Sequence, residues 1–213
     1  MKNTIKAAYI ALSLMIGFST AACSDSGGGK IVSNAAALQD YLDSLPANSP
    51  DKPIKAAMNA NNLEFEDITA AITSSGKYVS LDLSGSPITA IPYDAFFDNY
   101  TFDEETMEGC AGLIGIILPK NTTSIEDRAF AFCTGLKNIA IPNSVDSIGE
   151  GAFMGCTSLA AINVANNNTA YSSQGGVLYN KDKTALHAYP GGKRGAFTIP
   201  DKRKMTHFTQ LQG

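Results

Sequence analysis

The sequence predicts an α/β solenoid, because one pattern of apolar residues recurs three times at a step of 23 residues. The copies begin at Cys110, Cys133 and Cys156, and each has leucine at +3, isoleucine at +6 and a further aliphatic residue at +8. One copy is too small to bury its own apolar edge, whereas stacked copies share a continuous core. Residues 110–164 are therefore expected to form the centre of a repeat domain.

Each repeat is predicted to contain a short strand followed by a helical turn. The residues at +6 and +8 are two apart, so they share one face of a strand. In the second half of the repeat, Ile125, Ala129, Cys133 and Leu136 have the spacing of an apolar stripe on a helix. The repeat is thus expected to run strand, bend, helical turn.

The segment before the repeats is expected to close the array. Residues 31–76 lack the repeat but contain two amphipathic helix patterns, the first of which ends at Pro46. We expect an N-terminal helical cap, with a strand at Ile54–Met58 between the two helices. The solenoid itself is expected over 77–200, since alternation of apolar and polar residues begins at Val79.

A first insertion interrupts the repeat after Phe96. This residue lies 34 positions before its equivalent Phe130, eleven more than the repeat step, so residues 97–109 are expected to bulge from one face. A calcium site is one interpretation of its acids, but they lack the ligand spacing and glycine of a known loop, and solvated surface is preferred. These acids are Asp103, Glu104, Glu105 and Glu108.

A second insertion, a hairpin, is expected at about 166–190. Residues 165–176 have the composition of a loop, and the apolar stretches Val177–Tyr179 and Ala185–Tyr189 flank the turn sequence NKDK. The following strand AFTIP contains Ile199, which resumes the solenoid pattern.

Three stretches of sequence carry a family resemblance. IPNSVDSIGEGAFMGCTSL (141–159) resembles the BspA-like leucine-rich repeat of bacterial surface proteins, and KYVSLDLSGSPITAIPYDAF (77–96) resembles the entry into such arrays. GVLYNKDKTALHAYPGGKRGAFTIP (176–200) is similar to a segment that interrupts them. The resemblance implies a leucine-rich-repeat solenoid on the cell surface that adheres to host matrix proteins or other cells. It implies no catalysis and no cofactor.

The N-terminus predicts export and lipid attachment. Residues 1–22 contain two lysines, a 12-residue apolar run and small residues before Cys23, which is the pattern of a signal peptide. Small residues leading into a cysteine resemble a lipobox, although Thr20 replaces the usual leucine. The resemblance implies a bacterial cell-surface or outer-membrane lipoprotein acylated at Cys23, with 23–30 as a flexible tether. The alternative is a transmembrane anchor, but the apolar run is shorter than the roughly 18 residues of a spanning helix.

Composition and motifs argue against nucleic-acid binding and against catalysis. The formal net charge is −4, and no Lys/Arg cluster alternates with aromatic residues. No catalytic or nucleotide-binding motif is present, and the histidines, His187 and His207, have no carboxylate or cysteine at useful spacing. The repeat cysteines are 23 residues apart, so buried reduced thiols are preferred over metal ligands or disulfides. The protein is therefore not expected to be an enzyme.

Binding is expected on the strand side chains that point away from the core, which we call the concave face. Strand alternation assigns small, nearly neutral residues to this face, with Ile117 as its one large apolar residue. An equally open interpretation is that Ile117 is a singly exposed isoleucine without a functional role. The expected face consists of Ser80, Asp82, Gly115, Ile117, Asn138, Ala140, Ala161, Asn163 and Thr198.

The preferred hypothesis is a surface lipoprotein that binds an extracellular protein or another cell surface. The alternative is a structural or truncated member of a repeat family without binding activity of its own. The tail at 201–213 supplies none of the apolar residues that would bury the last strand. The open edge of that last strand is interpreted either as a docking site for another copy of the chain or as the result of a shortened reading frame. The second interpretation is preferred, because the break falls within a repeat.

Overall fold

The structure is a computed structural model that describes residues 29–101 and 106–195. Its main feature is a six-stranded sheet in which all neighbouring strands are parallel and follow one another in chain order. In spatial order, the strands are β1 (Lys30–Val32), β2 (Ile54–Met58), β3 (Val79–Asp82), β7 (Leu113–Ile117), β9 (Asn138–Ile141) and β11 (Ala161–Val164).

A narrower parallel sheet packs on the same core. It consists of three two-residue strands, β4 (Ala90–Ile91), β8 (Ser124–Ile125) and β10 (Ser147–Ile148). Ser124 pairs with Ser147 in this sheet, and Asn138 pairs with Ala161 in the main sheet. Both pairs join residues that are 23 positions apart, so the two sheets advance in step with the sequence pattern.

The N-terminal segment contributes two helices. Helix α1 (Ala35–Asp43) begins at Asn34, whose side-chain oxygen accepts a hydrogen bond from the Ala37 N–H at 2.8 Å. Helix α2 (Phe65–Ser75) ends at Gly76, whose left-handed φ of 62° suits glycine. The strand predicted between the two helices is β2.

The main sheet begins earlier in the chain than expected. The tether is expected to reach residue 30, but Lys30 is the first residue of β1, which pairs with β2. The Lys30 ammonium lies 4.7 Å from the centroid of the Tyr41 ring on α1, and Val32 is buried. These contacts hold the strand against its neighbours. The N-terminal segment therefore adds two strands to the sheet in addition to its helices.

The second half of each repeat is not helical, and the prediction of a helical turn is wrong. In the described part of the repeat region, residues 126–135 form successive tight turns. Arg128 and Phe132 adopt left-handed φ values of 54° and 56°, which no right-handed helix contains. The N–H groups of Phe130 and Phe132 donate to carbonyls of the next repeat at 2.9 and 2.6 Å. In a helix they would donate to carbonyls four residues earlier in the same repeat.

A row of phenylalanine rings runs through the core. Phe96, Phe130 and Phe153 stack with ring centroids 5.3 and 5.7 Å apart and interplanar angles of 12° and 4°. Phe65 of α2 meets Phe96 edge-on, at 5.4 Å and 85°. Aromatic contacts of this kind contribute about 0.5–1.5 kcal/mol each beyond the burial of area. The row therefore ties α2 to the first repeat and each repeat to the next.

The repeat cysteines are free and buried, as predicted. The thiols of Cys133 and Cys156 lie 3.5 and 3.0 Å from the carbonyl oxygens of Phe96 and Phe130. Burial raises the pKa of Cys156 to about 12 and raises the pKa of Cys133 well above its usual value. Both side chains are therefore neutral thiols at physiological pH, and they pack as small apolar groups.

The first insertion is confirmed as a departure from the repeat and forms a hairpin. Its strands β5 (Phe97–Thr101) and β6 (Thr106–Gly109) pair antiparallel. Glu108 lies on β6 and is exposed, whereas the acids 103–105 lie outside the described residues.

The second insertion contains one strand more than predicted. Strands β12 (Tyr171–Gln174), β13 (Val177–Asn180) and β14 (Leu186–Ala188) form an antiparallel sheet. The expected loop at 165–176 therefore includes a strand. Its polar sequence YSSQ conceals this, but all four of its residues are in register with β13.

The second insertion also covers the outer edge of β11. The Ile162 N–H donates to the Gly176 carbonyl at 2.8 Å, and the Val164 N–H donates to the Ser173 hydroxyl at 3.1 Å. This edge is therefore not open for pairing with another strand. The strand expected around Ile199 and the tail at 201–213 lie outside the described residues.

One buried position changes character from repeat to repeat. Thr122, Val145 and Asn168 are each 23 residues apart, and all three are buried. The Asn168 amide nitrogen donates to the carbonyls of Pro142 and Val145 at 2.9 and 2.8 Å, and its oxygen accepts from two downstream N–H groups. The Thr122 hydroxyl, in contrast, is buried without a hydrogen-bond partner.

We predict that Thr122→Val raises the free energy of unfolding by about 1 kcal/mol. The substitution keeps the shape of the side chain and removes an unsatisfied buried hydroxyl. The midpoint of chemical denaturation measures the change. The matched control is the reverse substitution at the equivalent position, Val145→Thr, which is expected to lower stability. A Thr122→Val variant less stable than the parent would contradict the conclusion that the Thr122 hydroxyl is buried without a hydrogen-bond partner.

We also predict that Cys133→Ala lowers the free energy of unfolding by about 1 kcal/mol or more, because it leaves a gap in a fully buried site. In the parent, all three repeat cysteines are expected to resist alkylation when folded and to react completely in denaturant, as read by intact mass. Fewer than three modified repeat cysteines in denaturant would show that these thiols are not free.

Candidate functional site

The residues predicted for the concave face lie together on the main sheet. Register pairs join Ser80 to Gly115, Gly115 to Asn138, and Asn138 to Ala161, which makes one continuous row across β3, β7, β9 and β11. A second row contains the pairs Asp82 with Ile117 and Ala140 with Asn163. Directly paired residues in a parallel sheet point to the same side. Thr198, the remaining predicted member, lies outside the described residues.

Exposure differs along this face. Ile117 is 53% exposed, and Asn138, Ala140 and Asn163 are also exposed. The other four members, Ser80, Asp82, Gly115 and Ala161, are half-buried. The most accessible part of the predicted face therefore lies on β7, β9 and β11.

Asp82 has a structural role in addition to its place on the face. Its carboxylate accepts a hydrogen bond from the Ser84 N–H at 2.8 Å. This contact turns the chain at the end of β3, which is a common use of aspartate. A partner that binds this carboxylate would compete with the Ser84 N–H for it.

The sequence analysis missed three residues of the face. Lys55 pairs with Ser80, Ala57 pairs with Asp82, and Ile31 pairs with Ala57, so the two rows continue onto β2 and β1. Ile31 is 66% exposed. The signal for β2 was present in the sequence as a weak strand pattern, whereas Ile31 follows a glycine-rich stretch that predicts a tether.

The face is nearly neutral and low in relief. Among the described residues, its charged side chains are Lys55 and Asp82, which have opposite formal charges. A side chain at Gly115 would place its first carbon 3.3 Å from the Ser80 hydroxyl, which is a tight contact, so glycine avoids crowding there and keeps the surface low. The face can therefore accept a broad, uncharged surface.

The second insertion forms one boundary of the face. A side-chain carbon at Gly176, whose φ is 81°, would lie 2.8 Å from the Ala161 methyl group. The glycine turn between β12 and β13 thus lies against Ala161, and the accessible surface ends there.

In the part of the chain that the structure describes, the remaining polar side chains do not form a metal centre. No three or more His, Cys, Asp or Glu side chains within it are placed to hold a metal ion. His187 packs edge-on against the Tyr171 ring at 5.0 Å, and burial lowers its pKa. Within 29–101 and 106–195, no helix combines the length and apolarity that crossing a membrane requires.

Comparison with known proteins identifies the repeat. The family model of the BspA type leucine-rich repeat region matches residues 88–180, in six copies. No protein of curated function matches the chain.

Several solved structures are similar to the chain. A leucine-rich repeat protein from Eubacterium ventriosum is 28% identical, with a TM-score of 0.46 over 68% of this chain and 41% of that one. A leucine-rich cell surface protein from Faecalibacterium prausnitzii is 24% identical, with a TM-score of 0.43 over 71% and 41%. The pneumococcal vaccine antigen PcpA is 20% identical, with a TM-score of 0.46 over 74% and 43%.

The chain spans about two fifths of the length of these structures. The family match covers the same repeats whose strands stack in parallel in the structure. Residues 88–180 are therefore similar to leucine-rich repeat regions of the BspA type.

Proposed function

We propose that the protein is a cell-surface binding protein that holds another protein on its concave face. The observation that carries the proposal is the continuity of this face across six parallel strands, with Ile117 exposed within it. Extended sheet faces are the usual binding surfaces of solenoids. The partner is an extracellular matrix protein or a protein on another cell, and the function is binding rather than catalysis.

The proposed binding domain is a regular solenoid with a repeat step of 23 residues, and residues 31–76 form its N-terminal cap. The 23-residue spacing of paired positions in both sheets supports the step. The contact between Phe65 of α2 and Phe96 of the first repeat supports the cap.

The size of the face limits the strength of this binding. The six strands are three to five residues long. At about 4.8 Å between strands and about 3.3 Å per residue, they give an area on the order of 400 Å². A standard interface buries about 800 Å² per partner. One copy of the face therefore supports weak or transient binding, unless the partner also contacts the adjoining loops. This small area also favours the alternative of a repeat-family member without binding activity of its own.

Surface attachment through a lipid is the second part of the proposal. The signal-like residues 1–22 and the following Cys23 support acylation at that cysteine. With β1 starting at Lys30, the tether shortens to residues 24–29. Six extended residues span at most about 20 Å, so the anchor would hold the N-terminal edge of the sheet near the membrane.

We predict that Ile117→Asp weakens binding to the partner at least fivefold, because it places a charge at the centre of a neutral face. The full chain and the variant are compared by surface plasmon resonance against immobilised extracellular-matrix proteins. Asn138→Ala, on the neighbouring strand, is expected to have a smaller effect in the same direction.

The matched control for this prediction is Met107→Asp. Met107 is also exposed, at 46%, but lies on β6 away from the concave face. If no matrix protein binds, or if both face variants bind like the parent, the concave face has no role and the alternative function is preferred.

We predict that Cys23→Ser abolishes incorporation of radiolabelled palmitate and releases the chain from the membrane fraction, because serine cannot form the thioether to diacylglycerol. Fractionation of the producing bacteria followed by immunoblotting measures the release. Cys133→Ser is the matched control and retains the label. Unchanged labelling of Cys23→Ser would contradict the lipid anchor without affecting the concave-face proposal.

A further inference from the structure

The main sheet has two outer edges, and these edges differ. The edge of β11 is covered by the second insertion, which accepts hydrogen bonds from the Ile162 and Val164 N–H groups. The strand at the other edge is β1, and within the described residues no strand pairs with its outer side. An uncovered edge presents backbone groups that can pair with another strand.

The hydrogen bonds of β2 determine which backbone groups of β1 point outward. The Ile54 N–H donates to the Tyr78 carbonyl at 2.8 Å, so the backbone groups of Ile54 face β3. Successive residues of a strand face its two neighbours in turn, so the backbone groups of Ala57 face β1. Ala57 is paired with Ile31, and in a parallel pair it bonds to the residues on either side of Ile31. The N–H and the carbonyl of Ile31 therefore point away from β2, toward the open edge.

These two groups of Ile31 are self-complementary. In an antiparallel hydrogen-bonded pair, two facing residues exchange both of their N–H···O bonds. Two copies of the chain that place Ile31 opposite Ile31 therefore satisfy the outward N–H and carbonyl of both residues in one contact. The two facing side chains lie on the same side of the joined sheet, so each covers part of an isoleucine that is 66% exposed in one copy.

The charge of β1 is compatible with this register. With Ile31 on the twofold axis, Lys30 of one copy faces Val32 of the second copy, so no like charges are directly opposite. Lys30 is also held within its own copy, since its ammonium lies 4.7 Å from the centroid of the Tyr41 ring. A register centred on Lys30 would place two ammonium groups opposite each other and would require backbone groups that face β2.

The covered edge of β11 makes the assembly closed. When two copies pair through β1, the outer strands of the joined sheet are the two β11 strands. Both carry the second insertion on their outer side, so a third copy cannot extend the sheet there. A twofold contact of this kind stops at a dimer.

From this arrangement we propose that β1 is an interface for a second copy of this chain, which pairs antiparallel through Ile31 and joins the two main sheets into one. Since facing side chains of the pair point to the same side, the two concave faces also point to the same side. Each face has an area on the order of 400 Å², so the joined face reaches the roughly 800 Å² that a standard interface buries per partner. This gain in area rests on the proposed function, whereas the pairing itself does not.

The dimer is expected to be weak in free solution. The strand β1 has three residues, so its outer edge offers one symmetric pair of hydrogen bonds. We expect a dissociation constant on the order of 1 mM. Copies that the proposed lipid anchor holds in one membrane plane meet at a higher effective concentration, which favours the dimer.

Disulfide formation at the axis tests the pairing. Ile31→Cys is introduced into the full chain together with Cys23→Ser, so that the remaining cysteines are the three buried repeat thiols. Facing residues of a hydrogen-bonded pair have Cα atoms about 5.5 Å apart, which a disulfide can span. Under mild oxidation, a covalent dimer is expected to form about tenfold faster than with Ile117→Cys. Ile117 is the matched control because it is also exposed and also points to the concave face, but lies on an inner strand.

A charge at the axis gives a second test without a covalent bond. Ile31→Lys places two like charges opposite each other and is expected to weaken the dimer at least about threefold, as measured by NMR diffusion over a concentration series. Ile117→Lys makes the same change away from the edge and is expected to leave the dimer unchanged. Both positions are exposed, so both variants are expected to retain the fold.

Two results would overturn the proposal. They are equal rates of covalent dimer formation at positions 31 and 117, and an Ile31→Lys variant that dimerises like the parent. Neither experiment contains a partner protein, so the dimer is measured separately from binding to the concave face. A dimer that binds no matrix protein would support this interface and contradict the proposed function.

Discussion

Each repeat of this chain is buried only by its neighbours, and the rest of the structure depends on this constraint. The N–H groups of the turns donate to carbonyls of the next repeat, and the phenylalanine rings stack from one repeat to the next. A residue added within a repeat would move the ring, the thiol and the strand out of register together. Insertions are therefore tolerated only where the chain leaves the core.

The first insertion illustrates this limit. In a regular repeat, the Cys133 N–H donates to the Phe130 carbonyl, three residues earlier. At the insertion, the Cys110 N–H donates to the Phe96 carbonyl at 2.8 Å, across the whole β5–β6 hairpin. The hydrogen bond that closes the turn is thus conserved in geometry, and the additional residues are looped out beside it. Neither Phe96 nor Cys110 loses its buried place.

The sequence predicts those features that follow from local alternation. Side chains two apart on a strand share a face, so the buried residues of β7 and β9, and the concave-face positions between them, could be assigned from the sequence. The helical turn could not be excluded in the same way, because four-residue turns and a helix give the same i, i+4 spacing. The signal that separates them is present just before Cys156, where Gly151 and Gly155 occupy the left-handed positions. At the equivalent positions before Cys133, Arg128 and Phe132 adopt the same backbone conformation, but their residue types do not indicate it.

Features that depend on contacts between distant segments could not be predicted from the pattern. Strand β1 follows a glycine-rich stretch and is held by Tyr41 of α1, and β12 has a polar sequence that is ordered by its pairing with β13. The ion pair between Arg128 and Asp94 is of the same kind, because it joins two repeats across 34 residues of sequence.

The covered edge of β11 decides how a partner can use the main sheet. Strand addition requires free N–H and carbonyl groups on an edge, but the outward N–H groups of Ile162 and Val164 are already bonded to the second insertion. At this end, a partner must lie on the face rather than extend the sheet. A face on the order of 400 Å² gives weak contacts for one copy. With the lipid anchor that we propose, many copies share one membrane plane, and a multivalent partner that bridges several copies gains avidity without any additional contact to each one.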